Sequence, residues 1–558
     1  MTVDATKKYL HKNYAFRAIT LLVFLALLPY LQTLFFPLLW WDDRIHICQN
    51  AFLREISWEN LKALWAQPFF GLYAPVTYSL WELLTFISKN IFENANDCLS
   101  WGPLFHFANL IFHILNVVFV FKLLKRVLRP ASELPALIGA ILFALHPLQV
   151  ETVAWAAGAR DLLCCFFGLL GLLQITKQKW LAANLFFLLS ILSKANGVVF
   201  PILGLVLLWD QREPKRFLKV TPALIFGLAA SLFAKTLQSD SLINFTSPLW
   251  IRPFIFAHSL GFYIWKTILP LDLAPDYTRS VTALIENPIE FWPIVILLLA
   301  IVLAMKLKPR KLMLSSAWIL ITLLPVSGLI AFGFQEISTV ADHYFYLPMI
   351  GVSFLVAANI PRNLHPLLRN FIFVLLGFCG LISLYQTHFW QNDKKLFEHN
   401  VALYPKSFVS HGNLGNASFL EKKFSEAEIE LRKALELNPK NRALRVDLGN
   451  TLSNLGRVNE AKDLYQDAIN RDLATPEIFN NLAAILFEQG ELATSEKFWK
   501  EAAKGNSYYF DPRFNLGILY KNQHRYEEAL SEFYEAEKIS PNNPLLKEQI
   551  DFIKSINR

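Results

Sequence analysis

The sequence predicts an all-α protein in two parts, a polytopic helical membrane bundle followed by a solenoid of helical hairpins. Three observations carry this. Of 558 residues, 54% are hydrophobic and only 18% charged, less charge than a water-soluble chain of this size carries. Up to about residue 390, apolar runs alternate with short basic loops. Beyond it the chain turns polar and repeats itself every 34 residues. The expected organisation is a membrane domain over 1–390, a linking helix over 391–404 and a repeat domain over 405–558.

The first apolar run, 18–39, follows Lys7, Lys8, Lys12 and Arg17, and no small-residue cleavage site succeeds it. It is expected to stay in place as a first span. Ten more are expected near 103–121, 134–150, 161–176, 180–193, 196–209, 219–236, 291–305, 312–332, 345–360 and 370–388. Several are short, so hairpins and tilts are expected. Basic clusters lie between them at Lys122/Lys125/Arg126/Arg129, Lys177/Lys179, Arg212/Lys215/Arg216/Lys219, Lys306/Lys308/Arg310/Lys311 and Arg362/Arg369. Cationic loops stay on the cytoplasmic face, and these alternate properly if 254–270 does not cross. That segment carries His258 and Lys266 and ends at Pro270, which suits an interfacial or re-entrant helix. About eleven spans then put the N-terminus in the cytoplasm and the repeat domain in the periplasm or an equivalent lumen. Short loops and no eukaryotic targeting pattern make the bacterial inner membrane the expected one.

The net charge of +8 comes largely from these clusters, so membrane lipid is the expected partner and nucleic acid is not. The five cysteines show no CxxC spacing. Cys48 and Cys98 fall in one outer loop where a disulfide can persist; two free thiols are the alternative.

In the C-terminal part Leu414-Gly415, Leu448-Gly449, Leu482-Ala483 and Leu516-Gly517 recur in one frame. Ala427, Ala461, Ser495 and Ala529 follow, then Leu431, Tyr465, Trp499 and Phe533, then Ala434, Ala468, Ala502 and Ala536. Pro405 precedes the first repeat, and Pro439 and Pro541 end two others. Small residues where two helices touch, a large one filling the gap and Pro at the turn define tetratricopeptide hairpins. Four repeats make a continuous core, and 543–556 reads as a capping helix. Asn413, Asp447, Asn481 and Asn515 precede the Leu-Gly/Ala pairs. An amide both donates and accepts, so Asn413, Asn481 and Asn515 suit a ladder that holds a peptide backbone. It is similar to the Asn ladder of O-GlcNAc transferase. Inter-repeat hydrogen bonding within the solenoid is the preferred alternative.

The outer loops expected from this orientation are polar. "LLWWDDRIHICQN" (38–50) sets Asp42 and Asp43 directly behind the first span, and "LYAPVTYSL" (72–80) comes next. "HPLQVETVAWAAGARDLL" (146–163) carries His146, Glu151 and Arg160, and "LSKANG" (192–197) carries Lys194. "WKTILPLDLAPDYTRS" (265–280) holds Asp276, Tyr277 and Arg279, and "ADHYFYLP" (341–348) holds His343. Ionisable groups at membrane depth cost several kcal/mol unless paired or set in a wet cavity. Six such loops on one side predict a shared polar cavity opening outward. His146 and Glu151, five apart, share no helix face well, so a metal site built on them ranks below a hydrogen-bonded loop. The sequence makes no cofactor certain, and a divalent cation stays open.

In their order, these motifs and the repeats resemble the transmembrane and tetratricopeptide-repeat O-mannosyltransferases and their bacterial relatives, of the C-type glycosyltransferase fold. That resemblance implies a polyprenyl-phosphate-linked sugar donor and a protein or glycan acceptor on the outer side. It implies a first-loop acid as the base, on Asp42 ahead of Asp43. Arg160 and Lys194 would steady the departing lipid phosphate. His146, Glu151, Asp276, Tyr277, Arg279 and His343 complete the expected donor or substrate region.

Three departures stand out. The family's Tyr-Arg-Pro is here Tyr73-Ala74-Pro75, its Asp-Arg-Tyr is Asp342-His343-Tyr344, and its Lys-Glu is Lys194-Ala195. Two guanidinium forks are missing, and a histidine replaces one only when protonated. Arg279 or His46 is the expected substitute, unless the donor differs or activity is lost. The competing expectation is a non-catalytic membrane-anchored repeat scaffold for an envelope assembly complex. A lipid-sugar flippase is disfavoured because the polar residues crowd one side.

Overall fold

The computed structural model describes residues 3–53, 56–91, 97–128, 133–237, 247–307, 309–361, 363–540 and 543–556. Arg129, Lys308, Arg362 and Pro541, used above for orientation and repeat ends, lie outside the described residues. Among the described residues the chain is helical, with no strand beyond a single bridge between Phe69 and Leu72. It divides into two compact units, Met1–Pro405 and Lys406–Arg558.

In the first unit, helix Val3–Leu27 tightens into a 3₁₀ stretch, Leu28–Phe35, where Pro29 removes a backbone donor. Among the described residues four helical stretches are long and apolar enough to cross a membrane: Tyr14–Phe35, Cys98–Val127, Ala156–Ile175 and Pro366–Phe389. A fifth arises if Glu133–Leu145 and Pro147–Ala154, bent by 55°, count as one. The bend follows from Pro147, which pushes His146 out of the α region. Trp180–Ser193, Ala195–Asp210, Thr221–Phe233, Pro288–Ala304 and Pro348–Asn359 are shorter apolar helices. Length and composition thus support four or five crossings directly, short of the eleven expected. The chain is an integral membrane protein by these helices.

Between the first two long helices the chain runs through an irregular stretch over 36–39, a turn over 40–41, a π-helical turn Arg44–Cys48 and helix Pro75–Ile91. The Cys48–Cys98 disulfide closes this loop, with Cα atoms 5.6 Å apart. Of the two alternatives left open by the sequence, the bonded one is observed. Gly158 closes the turn ahead of the Ala159–Ile175 helix: a Cβ there would lie 2.1 Å from the Thr152 carbonyl oxygen. Helix Asp393–Leu403, in the segment expected as a linker, belongs to the first unit.

The second unit is four helical hairpins, from Phe408–Leu420 with Phe424–Leu437 to Phe510–Asn522 with Tyr526–Ile539. Pro544–Ile556 caps them with Leu546, Ile550 and Ile553 buried. The small residues of the repeat are contact points. A Cβ on Gly449 would meet the Tyr465 ring at 2.3 Å, so the ring occupies the space a side chain would need.

Candidate functional site

A cavity of about 590 Å³ opens in the first unit. Its wall includes Trp41, Asp42, Glu151, Trp155, Arg160, Lys194, Glu336, His343, Tyr344 and Trp390. Asp42 and Arg160 arrive from the first loop and from the start of the Ala159–Ile175 helix, and Asp42 Oδ2 accepts from Arg160 Nη2 at 3.1 Å. The Arg160 guanidinium also donates through Nε to the Ala157 carbonyl and stands 5.7 Å from the Trp155 ring. Lys194, at the break after helix Trp180–Ser193, donates to both oxygens of Asp161 at 2.7 Å. Glu151 accepts twice from His343: from the backbone amide at 2.9 Å and from Nδ1 at 2.8 Å. The indole N–H of Trp155 is buried and has no acceptor.

Asp43 behaves differently from its neighbour. It is fully buried, and its two oxygens accept from the amides of Leu39 at 3.0 Å and Ala157 at 2.9 Å. These bonds tie the end of the first apolar run to the turn that carries Arg160. Burial raises its pKa to about 7, with Asp42 adding to the rise and the two amides opposing it. A second clamp is Asp393, whose oxygens accept from the Trp40 amide at 2.9 and 3.1 Å. Burial lifts its pKa to about 6 against that bond.

The structure therefore gathers Asp42, Glu151, Arg160, Lys194 and His343 on one wall. Asp43, His146, Asp276, Tyr277 and Arg279 are not on it. His146 caps the Pro147–Gln149 turn through Nδ1, and its Nε2 bonds the Thr267 carbonyl at 3.0 Å. Asp276 accepts from the Thr278 amide at 2.7 Å, and Tyr277 donates to Asp342 Oδ1 at 2.7 Å. Arg279 turns to Glu290 at 3.1 Å and to His258 Nε2 at 2.9 Å.

Neither expected substitute for the missing arginines puts a cation on the wall. Arg279 is committed elsewhere, and His46 bonds the Tyr78 hydroxyl at 2.9 Å. Burial, helped by the Arg160 charge, lowers the His46 pKa to about 4, so the ring is neutral near pH 7. The wall holds three carboxylates, Asp42, Glu151 and Glu336, against two cations, Arg160 and Lys194. Among the described residues no three His, Cys, Asp or Glu side chains come together to hold a metal.

Sequence reasoning missed Asp161, Trp155, Glu336, Tyr344, Trp390 and Asp393. Asp161 and Trp155 sit inside a motif already singled out, and a search for a partner to Lys194 would have found Asp161. Nothing local marks Glu336, Trp390 or Asp393.

In the repeats, the side chains of this row bond within the solenoid. Asn416 Nδ2 donates to Asp447 Oδ2 at 3.0 Å, Asn481 to Asn450 Oδ1 at 2.8 Å and Asn515 to Asn480 Oδ1 at 3.2 Å. Asn413 donates to the Val409 carbonyl one turn back.

Fold and site define a polytopic membrane protein with a polar, carboxylate-lined cavity and a tetratricopeptide-repeat domain. The tetratricopeptide repeat family matches residues 418–485 and, through a second model of that family, residues 511–543. The chain's homologues are protein O-mannosyl-transferases, in keeping with the motifs above. It is 23% identical to protein O-mannosyl-transferase TMTC3 of Homo sapiens, over 82% of this chain and 55% of that protein. It is 24% identical to TMTC4 of Homo sapiens, over 67% and 60%. The chain thus spans little more than half the length of these curated relatives. Among solved structures, the crystal structure of MamA is similar over 26% of this chain and 84% of its own, at 20% identity and a TM-score of 0.24.

Proposed function

We propose that the protein is a membrane glycosyltransferase. It moves a monosaccharide from a polyprenyl-phosphate-linked donor to a hydroxyl of a protein or glycan acceptor on the outer side of the membrane. The observation that carries this reading is the Asp42–Arg160 pair on the cavity wall. Asp42 accepts the acceptor's proton as the oxygen attacks the anomeric carbon. Arg160, with most of its donors unspent, holds the lipid phosphate as the glycosidic bond breaks. The sugar passes to the acceptor oxygen, and the polyprenyl phosphate leaves with its negative charge. Lys194, steadied by Asp161, supplies a second cation. Glu151 and His343 fix one edge of the cavity. Asp43 is a positioning residue, holding the turn that aims Arg160.

An outer location for this site accords with the basic loops and with the Cys48–Cys98 bond, which persists in an oxidising compartment. The repeat domain supplies a surface for a protein acceptor.

The test is a comparison of O-glycosylated peptides from cells carrying the wild-type gene, the Asp42→Asn gene or none. The reading requires a set of sugar-bearing peptides present only with the wild type. An identical set in all three samples removes it.

One observation favours the second reading, a membrane-anchored scaffold. Arg160 and Lys194 already have carboxylate partners, so no cation on the wall is left unbalanced. Restoration of a deletion phenotype by the Asp42→Asn chain would support the scaffold.

A further inference from the structure

A second cavity, of about 530 Å³, lies where helices Gly102–Val127 and Ala159–Ile175 end against the first helix. Lys122, Lys125, Arg126 and Lys177 line it together with the apolar Ile19 and Leu173. Four cations at one mouth repel one another, and they are poorly neutralised. Among the described residues Lys125 alone of the four has a carboxylate partner, Glu133. Arg126 donates through Nη1 to the Thr176 hydroxyl at 2.7 Å, which leaves four of its five donors. Among the described residues no carboxylate pairs with Lys122 or Lys177; the Lys122 ammonium stands 5.5 Å from the Phe119 ring.

Basic loops near a bilayer are ordinary, because the positive-inside rule places them. A concave site with an uncompensated charge of about three and an apolar back wall asks for more. The C-terminal carbonyls of both helices repel an anion weakly within their last turns, and the side-chain cations outweigh them. The first helix, which contributes Ile19 to the lining, also exposes Phe16 and Phe24. An occupant must therefore carry a negative head and an apolar tail.

We propose that this cavity binds an anionic phospholipid. Its phosphate sits among Lys122, Arg126 and Lys177, and an acyl chain lies along Ile19 and Leu173. The site is separate from the polar cavity, and the inference does not rest on the sugar-transfer reading.

The experiment is native mass spectrometry of the full chain in detergent, titrated with phosphatidylglycerol or phosphatidylcholine. The wild type is expected to retain phosphatidylglycerol in preference. K122Q/R126Q/K177Q should lose affinity on the order of a hundredfold, the combined worth of three surface cations toward an anionic lipid. K215Q/R216Q/K306Q removes as much charge from other loops and should bind as the wild type does. I19W keeps every charge while filling the apolar side, and should also lose the lipid. Equal binding by wild type and the first triple variant would overturn the proposal, as would equal retention of phosphatidylcholine. Displacement of the lipid by millimolar inorganic phosphate would overturn the lipid as the source of the anion.

Discussion

The carboxylate of Asp42 and the guanidinium of Arg160 meet at 3.1 Å across 118 positions of the chain. The contact joins the first loop to the helix Ala159–Ile175 and puts a carboxylate and a guanidinium together in the cavity lining. Neighbouring Asp43 turns inward and takes the Ala157 amide, three residues before that same arginine. Adjacent acids thus divide the work, one facing the cavity and one fixing its partner.

Replacing Arg160 by Gln should leave the chain folded and lower kcat/KM for the lipid-linked donor by about 10²–10³, the worth of one donor at a developing anion. Lys at this position should recover only part of the loss, because an ammonium lacks the guanidinium fork. Steady-state transfer in proteoliposomes, with donor concentration varied, measures both.

Asp43→Ala acts through stability. It strands two buried amides, Leu39 and Ala157, at roughly 1–3 kcal/mol each. A fall in detergent-phase melting temperature, without any change in the disulfide, is the expected result. Loss of activity at an unchanged melting temperature would instead place Asp43 among the reacting groups.

Two buried acids make stability fall as pH rises. Asp43 goes from 3.8 unfolded to about 7 folded, and Asp393 from 3.8 to about 6. Between about pH 4 and 7 the folded chain holds protons that the unfolded chain has released. Each group thus disfavours the fold by up to about 1.4 kcal/mol per pH unit across its window. Asp393→Asn keeps an oxygen for the Trp40 amide and removes one titration. Its melting temperature should decline less between pH 4 and 6 than that of the wild type.

The Cys48–Cys98 bond closes a loop with a sequence separation of 50. Cys48→Ser should cost about 2–4 kcal/mol, which a denaturant or thermal series reads directly. Maleimide labelling of whole cells checks its compartment: Cys48 and Cys98 should react only after reduction. Reaction of both without reductant would put this loop in a reducing space.

The sequence made much of the fold legible and less of the site. The 34-residue register reads directly because each hairpin needs a small residue wherever a large one packs; Gly449 under Tyr465 is such a place. The acidic step after the first span was legible as a candidate, with Asp42 only slightly ahead of Asp43 as the acid of interest. Which acid lines the cavity depends on an irregular backbone, a turn before Asp42 and a π-helical turn after Asp43, which no periodicity predicts. The pairs that define the wall are distant in sequence: Asp161 with Lys194 lies 33 positions apart, and Glu151 with His343 lies 192. His46 and Arg279 looked like spare cations because sequence reports residue type. Burial makes the first neutral near pH 7, and Glu290 engages the second.

Asp42 is proposed to take a proton during sugar transfer, and the initial rate with a labelled polyprenyl-phosphate-linked monosaccharide, comparing purified wild-type and Asp42→Asn chains of matched melting temperature, tests this. The variant's kcat should fall by about 10²–10⁴, with donor still bound. Equal rates for the two chains would contradict it.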